Sequence, residues 1–373
     1  MKVVVDGIIY SMAAYGIPNV FREILPRMCD LEPALQVKLF LRKTLQQQPP
    51  GHSNIIPCWI PRIERYLRPR KFWQQWDSKA RQFIQQFYID SGKKQIWHST
   101  YYTSPWQWKG KRVATVHDLI TEKFAASFFQ SSSIRFRQEK GCSIREADAI
   151  ICVSQTTAQD LQEWYRIDPS RVRVIYNGVS DVFRLIDSSV ELVDPQIHDP
   201  FLLYVGARYH EYKNFDGLLF AYSHWRLRSD IPLVVVGKPW SKDEIRQLTE
   251  LGLVESVHLL TNCSDQRLCL LYNSATALIY PSKYEGFGLP LIEAMRCGCP
   301  IIASRILSSI EVAGEIPIFF DLDEPDSMLA AFDQALREGR DSLRTQAGLA
   351  HANLFSWDRA SRQTLEVYRS LSA

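Results

Sequence analysis

The sequence predicts an α/β protein with two doubly wound domains, each a parallel sheet covered by helices on both faces. Its 373 residues exceed the usual size of a single domain. Short apolar runs rich in Val and Ile recur along the chain, which is typical of parallel strands buried on both faces. Stretches with helical spacing separate these runs, and this alternation of strand and helix occurs in both halves of the chain.

The apolar runs have the length of strands. In the first half the predicted strands cover residues 2–5, 36–41, 95–98, 112–116, 149–153 and 172–176. In the second half they cover residues 201–205, 232–236, 257–260, 277–280, 300–303 and 317–320. The predicted helices include 157–165, 215–225, 243–251 and 265–273, and a last helical stretch covers 357–371.

The boundary between the two domains is predicted within residues 183–200. This stretch contains two prolines, several acids and no clear hydrophobic period, and the apolar run FLLYVGA follows it. We therefore expect a first domain over residues 1–190, which the C-terminal helix at 357–373 rejoins, and a second domain over 200–356.

The composition favours a soluble, intracellular chain. No window reaches the ~18 uninterrupted apolar residues that a membrane helix needs. The opening MKVVVDGIIY has the pattern of a buried strand rather than of a signal peptide. Eight cysteines occur without a CxxC pair, so we expect reduced, buried thiols and no zinc site.

The net charge of +3 conceals an asymmetry between the two halves. Residues 1–190 carry 27 Lys and Arg against 17 Asp and Glu, whereas the remainder carries 17 against 24. The segment 61–83 is both basic and aromatic, which suits the headgroup zone of an anionic membrane. An amphipathic helix with its aromatic residues in the core explains this segment equally well. No nucleic-acid reader motif accompanies the charge, so we expect no nucleic-acid partner.

The stretch YPSKYEGFGLPLIEAM, residues 280–295, is the richest in functional signals. A glycine loop with Glu285 and Gly288 follows a strand and leads into a helix with an early proline, Pro290. The amides of Gly288 and Leu289 are expected at a helix N-terminus that attracts anions such as phosphate. We expect Glu293 in the first turn of this helix. Together with Glu285 in the loop before the helix, it could bind sugar hydroxyls. The alternative is a glycine turn whose Glu only complements the helix dipole.

Further candidates follow three other strands. In YVGARYHEYKN, Gly206 ends a strand, and Arg208 and Lys213 suit a diphosphate unless they are ordinary solvated charges. In ATVHDLI, His117 could bond a sugar hydroxyl or move a proton, or be a core histidine. Gly16 allows close backbone approach after the first strand, although a plain turn explains it as well.

Two other patterns are discounted. The acidic run DLDEPD, residues 321–326, resembles a magnesium site but fits a loop with a helix cap better. No GxGxxG follows the first strand, so the sequence does not indicate dinucleotide binding.

These motifs together resemble the retaining glycosyltransferases of family 4, which have the GT-B architecture of two Rossmann-like domains facing across a cleft. The resemblance covers nearly the full length of the chain. It is strongest in YPSKYEGFGLPLIEAM, whose two glutamates are separated by seven residues, and extends to YVGARYHEYKN, VHDL, ADAIICVSQTT, VIYNGV and SSIEVAG. The chain departs from the family at Ala14-Tyr15-Gly16, where paired glycines are common.

The resemblance implies that the second domain binds a nucleotide diphosphate sugar and the first an acceptor, without metal or other cofactor. Arg208 and Lys213 would hold the diphosphate, Glu293 the ribose and Glu285 the donor sugar, which His117 would reach across the cleft. The implied catalytic residues are His117, Arg208, Lys213 and Glu285. The implied nucleotide-sugar-binding residues are Gly16, Gly206, Arg208, Lys213, Glu285, Gly286, Phe287, Gly288, Leu289 and Glu293.

The expected reaction is transfer of a hexose such as mannose from a GDP- or UDP-sugar to a glycan or lipid-linked glycan, at the inner face of the membrane or in the cytoplasm. Retention could proceed through a glycosyl–carboxylate intermediate or through same-face attack, and the family's usual assignment favours the second. A nucleotide-sugar epimerase, a glycan phosphorylase or a non-catalytic binding protein of the same architecture remain alternatives.

Overall fold

The computed structural model describes residues 1–12, 16–42, 45–60, 95–105, 108–128, 131–186 and 200–372. The segment 61–83, on which the membrane prediction depends, lies outside these residues, and so does most of the predicted linker, 187–199. The chain divides into two compact units. The first comprises Met1–Gly178 with Trp357–Ala373, and the second comprises Val179–Ser356.

The first unit contains a parallel sheet. Its strands, β1 to β7, are Lys2–Asp6, Gln36–Arg42, Ile55–Ile60, Gln95–Ser99, Lys111–Val116, Ala149–Cys152 and Val172–Val174. Among the described residues their order across the sheet is β3-β2-β1-β4-β5-β6-β7. The strand order therefore reverses between β1 and β4, which pair in parallel with Val3 opposite Ile96.

Helices of the first unit flank this sheet. They are α1 (Ile17–Leu31), α2 (Ile120–Lys123), α3 (Ser131–Glu146), α4 (Gln155–Tyr165) and the C-terminal α12 (Trp357–Ser372). Helix α1 follows Gly16, whose φ of 95° is a backbone conformation that glycine adopts readily and other residues rarely do. The helix buries an apolar face that includes Phe21 and Leu25. Helix α12 packs against α1, and two ion pairs, Arg27–Asp358 and Arg369–Glu32, join them.

The second unit contains another parallel sheet. Its strands, β8 to β13, are Leu202–Val205, Leu233–Val236, Val257–Leu260, Ala277–Tyr280, Ile301–Ser304 and Ile318–Phe320. Their order among the described residues is β10-β9-β8-β11-β12-β13. The helices of this unit, α5 to α11, are Phe215–His224, Lys242–Glu250, Asp265–Ser274, Leu289–Arg296, Leu307–Ala313, Pro325–Glu338 and Leu343–Ala352.

The prediction of two doubly wound α/β domains is therefore confirmed. Strand β3 is absent from the sequence prediction because Pro57 interrupts its apolar run. Proline is tolerated on an edge strand, where a backbone donor is not needed. In the described part of the sheet, β3 is such an edge, paired with β2 alone.

The cysteines differ in part from the expectation. All eight are free, and six of them are buried, but Cys142 on α3 is exposed and Cys263 is partly exposed. Within the described ranges, no helix is both long enough and apolar enough to cross a membrane.

Candidate functional site

Two loops of the second unit lie together where the strand order of its sheet reverses. Strands β8 and β11 are neighbours, with Leu202 opposite Ala277, and each has its following loop at the carboxyl end. The two loops are joined by a hydrogen bond from the Lys283 amide to the Tyr212 carbonyl, 2.7 Å. In open α/β sheets, ligands bind outside the carboxyl ends of the strands at this kind of switch point. These loops contain Arg208, Lys213 and Glu285.

Lys213 and Glu285 form an ion pair between the two loops. Lys213 Nζ lies 2.6 Å from Glu285 Oε1, and both side chains are largely buried. The Ser282 hydroxyl donates to the same carboxylate oxygen at 2.7 Å. The rings of Tyr212 and Tyr280 lie 5.5 and 6.0 Å from the ammonium group. A cation and a carboxylate are thus fixed side by side, which suits a ligand with both phosphate and hydroxyl groups.

The glycine loop after β11 ends in helix α8. Gly288 precedes the helix with φ 114°, and a Cβ there would meet Leu291 Cδ1 at 3.1 Å and the Tyr280 hydroxyl at 3.4 Å. Leu289 is the first helical residue, so its amide belongs to the unsatisfied donors of the first turn. Gly286 and Phe287 are buried in the loop, and the Phe287 ring packs edge-on against Phe355.

The predicted position of Glu293 in the first turn of α8 is wrong. The helix begins at Leu289, because the left-handed backbone of Gly288 ends the loop, and Glu293 is therefore in the second turn. Its Oε2 accepts a hydrogen bond from Tyr272 at 3.0 Å. Burial raises the pKa of Glu293 to about 7, although the Tyr272 hydroxyl acts in the opposite direction. A fraction of this carboxyl is therefore protonated at neutral pH.

Arg208 is held by the loop that follows β9 and by helix α6. Its Nε lies 2.7 Å from Glu244 Oε1, and its Nη2 donates to the Lys238 carbonyl at 2.7 Å. The Trp240 ring centre lies 4.2 Å from Arg208 Cζ. The structure therefore brings Lys213 and Glu285 into contact, whereas Arg208 pairs with Glu244. Gly206, at the end of β8, adopts φ 155°.

In the first unit, His117 follows β5 and is buried. Its Nε2 lies 3.3 Å from the Thr100 carbonyl oxygen, so Nε2 donates and Nδ1 is the acceptor of the neutral ring. Burial lowers the pKa of His117 to about 4, although Asp118 acts in the opposite direction. His117 is thus neutral above about pH 5. It can accept a hydrogen bond from a hydroxyl group but does not carry charge at neutral pH.

A buried ion pair supports the chain after His117. Lys140 on α3 lies 2.8 Å from Glu122 Oε2 and also donates to the Asp118 carbonyl at 2.8 Å. The Tyr165 hydroxyl donates to the other oxygen of Glu122 at 2.7 Å. Lys140 therefore connects a carboxylate of α2 with the backbone of the residue next to His117.

Sequence reasoning did not find Ser282, Trp240, Glu244 or Tyr272 as parts of the site. Only Glu244 has a local signal, because Ser241 and Glu244 have the spacing of a capping box. The acidic run, expected to be a loop with a helix cap, is a loop as far as Glu324 and enters helix α10 at Pro325. Asp321 Oδ1 accepts the Asp323 amide at 2.9 Å within the loop, but Glu324 at the N-cap makes no side-chain capping bond. Across the part of the chain that the structure describes, no group of three or more His, Cys, Asp or Glu side chains could hold a metal.

Two family models match the chain in succession. The model described as "Glycosyltransferase Family 4" matches residues 34–182, and "Glycosyl transferases group 1" matches residues 194–349. The first match contains strands β2 to β7 of the first sheet, and the second contains strands β8 to β13.

Curated relatives match parts of the chain. O-antigen chain mannosyltransferase B of Escherichia coli is 38% identical over 178 residues, 46% of either chain. The serotype-specific mannosyltransferase WbdA of Escherichia coli is 31% identical over 280 residues, 72% of this chain and 34% of that protein. The matched part thus spans about half of the first relative and about a third of the second.

Solved structures with low sequence identity share the whole fold. Sucrose-phosphate synthase from Thermosynechococcus elongatus has a TM-score of 0.79 at 20% identity, covering 100% of this chain and 99% of that one. HepE from Anabaena in complex with UDP-glucose has a TM-score of 0.76 at 17% identity, covering 99% and 100%. With its two doubly wound sheets and both family models matched, the chain belongs to glycosyltransferase family 4 and has the GT-B fold.

Proposed function

We propose that this chain transfers a mannosyl residue from a nucleotide diphosphate sugar to a glycan or lipid-linked glycan, with retention of the anomeric configuration. The observation that carries the proposal is the Lys213–Glu285 pair between the two loops that follow β8 and β11. The names of the relatives support the sugar and the acceptor class, because both are mannosyltransferases and the first is named for the O-antigen chain. The bound ligand named for HepE supports a nucleotide diphosphate sugar as donor.

The chemistry of the transfer fits these residues. Breaking the bond from the anomeric carbon to the diphosphate builds negative charge on the leaving group and positive charge on the sugar. Lys213, Arg208 and the amides of Gly288 and Leu289 would stabilise the leaving diphosphate. Glu285 would hold hydroxyls of the donor sugar, and Glu293 those of the ribose. In this assignment the protein's own cations supply the charge that a metal supplies in other enzymes.

The contribution of the first unit is also part of the proposal. Neutral His117 would accept a hydrogen bond from a hydroxyl of the donor sugar through Nδ1. Gly16, which precedes α1, would allow the donor or acceptor to approach the backbone. Retention would follow from attack of the acceptor on the face that the diphosphate leaves, with a phosphate oxygen taking the acceptor's proton and Glu285 acting as a positioning group.

A panel of ligands tests the donor. Thermal unfolding is measured with GDP, UDP, ADP and their mannose or glucose derivatives, since a ligand at 100 times its Kd stabilises by about 2.7 kcal/mol. The donor that stabilises most is then assayed by release of its nucleoside diphosphate with a mannose-terminated oligosaccharide acceptor. We expect release that depends on the acceptor, is unchanged by EDTA, and gives a product with the anomeric configuration of the donor.

Other outcomes would favour the alternatives. Conversion of the donor without acceptor would indicate an epimerase. Sugar phosphate formation from glycan and inorganic phosphate, with a pyridoxal absorption band, would indicate a phosphorylase. Saturable binding without release for every acceptor tried would indicate a binding protein.

A further inference from the structure

The guanidinium group of Arg208 is enclosed on most of its edges. The side chain is only 4% exposed. Its Nε donates to Glu244 Oε1 at 2.7 Å, and its Nη2 donates to the carbonyls of Lys238 and Pro239 at 2.7 and 3.4 Å. The Trp240 ring covers one face of the group. Four contacts from one loop and one helix therefore fix both the position and the plane of this cation.

One nitrogen of Arg208 is left for a ligand. Within the described residues, Nη1 has no hydrogen-bond partner, whereas Nε and Nη2 are both engaged. A Cβ added at Gly237 would lie 2.4 Å from Nη1. Gly237 thus leaves room at this nitrogen that any other residue would occupy.

Glu244 is fixed at the start of helix α6. Its Oε2 accepts the Ser241 amide at 2.7 Å, and its own amide donates to the Ser241 hydroxyl at 3.2 Å. Burial acts to raise the pKa of Glu244, but the hydrogen bonds from Arg208 and Ser241 outweigh it, and the pKa is lowered. The carboxylate is therefore ionised and already ordered, so holding Arg208 costs little further side-chain entropy.

We propose that Glu244 is a positioning residue that holds Arg208 by Nε, so that Nη1 is the nitrogen that contacts the leaving diphosphate. This inference rests on the proposed function, in which Arg208 binds that group. A fixed cation stabilises the charge that develops in the transition state without reorganising at that moment. The negative charge of Glu244 offsets part of the attraction between Arg208 and the diphosphate in the ground state. Glu244 should therefore contribute to kcat and little to nucleotide affinity.

The test compares two acids of the same helix. Glu244→Gln keeps the size of the side chain and an oxygen for the Ser241 amide but removes the charge that holds Arg208. Asp243→Asn removes a charge from the same first turn, where Asp243 is exposed and pairs with Arg246. The two substitutions change the helix dipole interaction alike. Any difference between them reports the contact with Arg208.

Donor turnover is measured with GDP-mannose and UDP-glucose, and affinity with GDP and UDP. We expect Glu244→Gln to lower kcat at least tenfold while the Kd of the nucleoside diphosphate stays within threefold, and Asp243→Asn to change neither beyond twofold. A Glu244→Gln enzyme whose kcat is within twofold of the original would overturn the inference. A higher kcat together with tighter nucleotide binding would overturn it too, because it would indicate that Glu244 competes with the diphosphate for Arg208. Equal losses of kcat in both variants would overturn it as well.

Arg208→Ala separates this inference from the proposed function. If Arg208→Ala keeps full turnover and nucleotide affinity, the assignment of Arg208 in the proposed function is wrong. If Arg208→Ala is inactive and Glu244→Gln is fully active, only the positioning role is wrong. Thermal midpoints of all three variants show whether the fold is preserved, and Glu244→Asp provides a second variant that keeps the charge and should recover part of kcat.

Discussion

Lys213 Nζ lies 2.6 Å from Glu285 Oε1, although the two residues are 72 positions apart along the chain. The contact exists because β8 and β11, which are distant in sequence, are neighbours in the sheet. Each carries its residue in the loop at the carboxyl end of the strand. A diphosphate that binds Lys213 would compete with Glu285 for the same ammonium group. The two residues should therefore affect nucleotide binding in opposite directions.

Substitutions of this pair test that competition. We expect Lys213→Ala to weaken GDP or UDP binding at least tenfold, because the cation is lost. Glu285→Gln should bind the nucleoside diphosphate as tightly or a few times more tightly, but should transfer sugar at least a hundredfold more slowly. Affinity is measured by calorimetry and transfer by nucleotide release. Lys283→Ala is the matched control, since Lys283 is an exposed lysine in the same loop as Glu285 and pairs with Glu211. Weaker nucleotide binding in Glu285→Gln would contradict the competition.

The raised pKa of Glu293 predicts that donor affinity depends on pH. Its folded-state pKa of about 7 means that the carboxyl gains charge as the pH rises from 6 to 8. The ionised form is the better acceptor for ribose hydroxyls, so donor binding should tighten about tenfold over this range. The sugar nucleotide is the ligand to use, because the terminal phosphate of a free nucleoside diphosphate itself titrates near pH 6. Glu293→Gln should remove the dependence, and an unchanged slope in this variant would assign it to another group.

The lowered pKa of His117 predicts that the contribution of this residue to turnover does not depend on pH near neutrality. With a pKa of about 4, the ring is neutral at every pH from 6 to 8, so its contribution should not change over this range. We expect His117→Ala to lower kcat by the same factor at pH 6, 7 and 8. A ratio of the two rates that changes with an inflection near 6.5 would show that His117 titrates as an exposed histidine does.

Gly237→Ala should displace Arg208 without a large loss of stability. The new Cβ would lie 2.4 Å from Nη1, so the guanidinium group has to shift away from its contacts with Glu244 and Lys238. We expect the end of the side chain to move rather than the backbone. We expect at least a tenfold loss of turnover, with the thermal midpoint within about 3 °C. Gly51→Ala is the control, because a Cβ at Gly51 meets nothing within 4 Å. Wild-type turnover in Gly237→Ala would mean that the position of Arg208 is not critical.

The sequence was sufficient for most of the sheet framework. The apolar runs at 257–260 and 277–280 coincide with strands β10 and β11, because buried parallel strands have a continuous apolar pattern. Strand β3 could not be predicted in this way, since Pro57 breaks its run and only the edge position of the strand makes the proline acceptable. The start of α8 depended on the φ of Gly288: the proline signal predicts a first helical residue at Pro290, whereas the helix begins one residue earlier, which moves Glu293 into the second turn.

The contact between Lys213 and Glu285 was predictable in outline, because each residue lies in a loop that follows a strand. A parallel sheet places both loops at one edge. The partners of Arg208 were not predictable, because Trp240 and Glu244 reach it from the loop and helix after β9. The spacing of Ser241 and Glu244 indicates a capping box, which uses one carboxylate oxygen, and it contains no information about the contact of the other oxygen with Arg208.

The buried ion pair Lys140–Glu122 predicts a large effect on stability. Lys140→Met would leave Glu122 buried without its cation, at a cost of about 3–5 kcal/mol in the free energy of unfolding. Urea denaturation at pH 7, followed by tryptophan fluorescence, measures the change. Adding Glu122→Gln to Lys140→Met should recover part of the loss, because a neutral amide is less costly to bury than an unpaired carboxylate. Arg135→Ala is the control: it removes an exposed pair with Glu139 on the same helix and should cost about 0.5 kcal/mol or less. A Lys140→Met variant as stable as this control would show that Glu122 does not depend on Lys140.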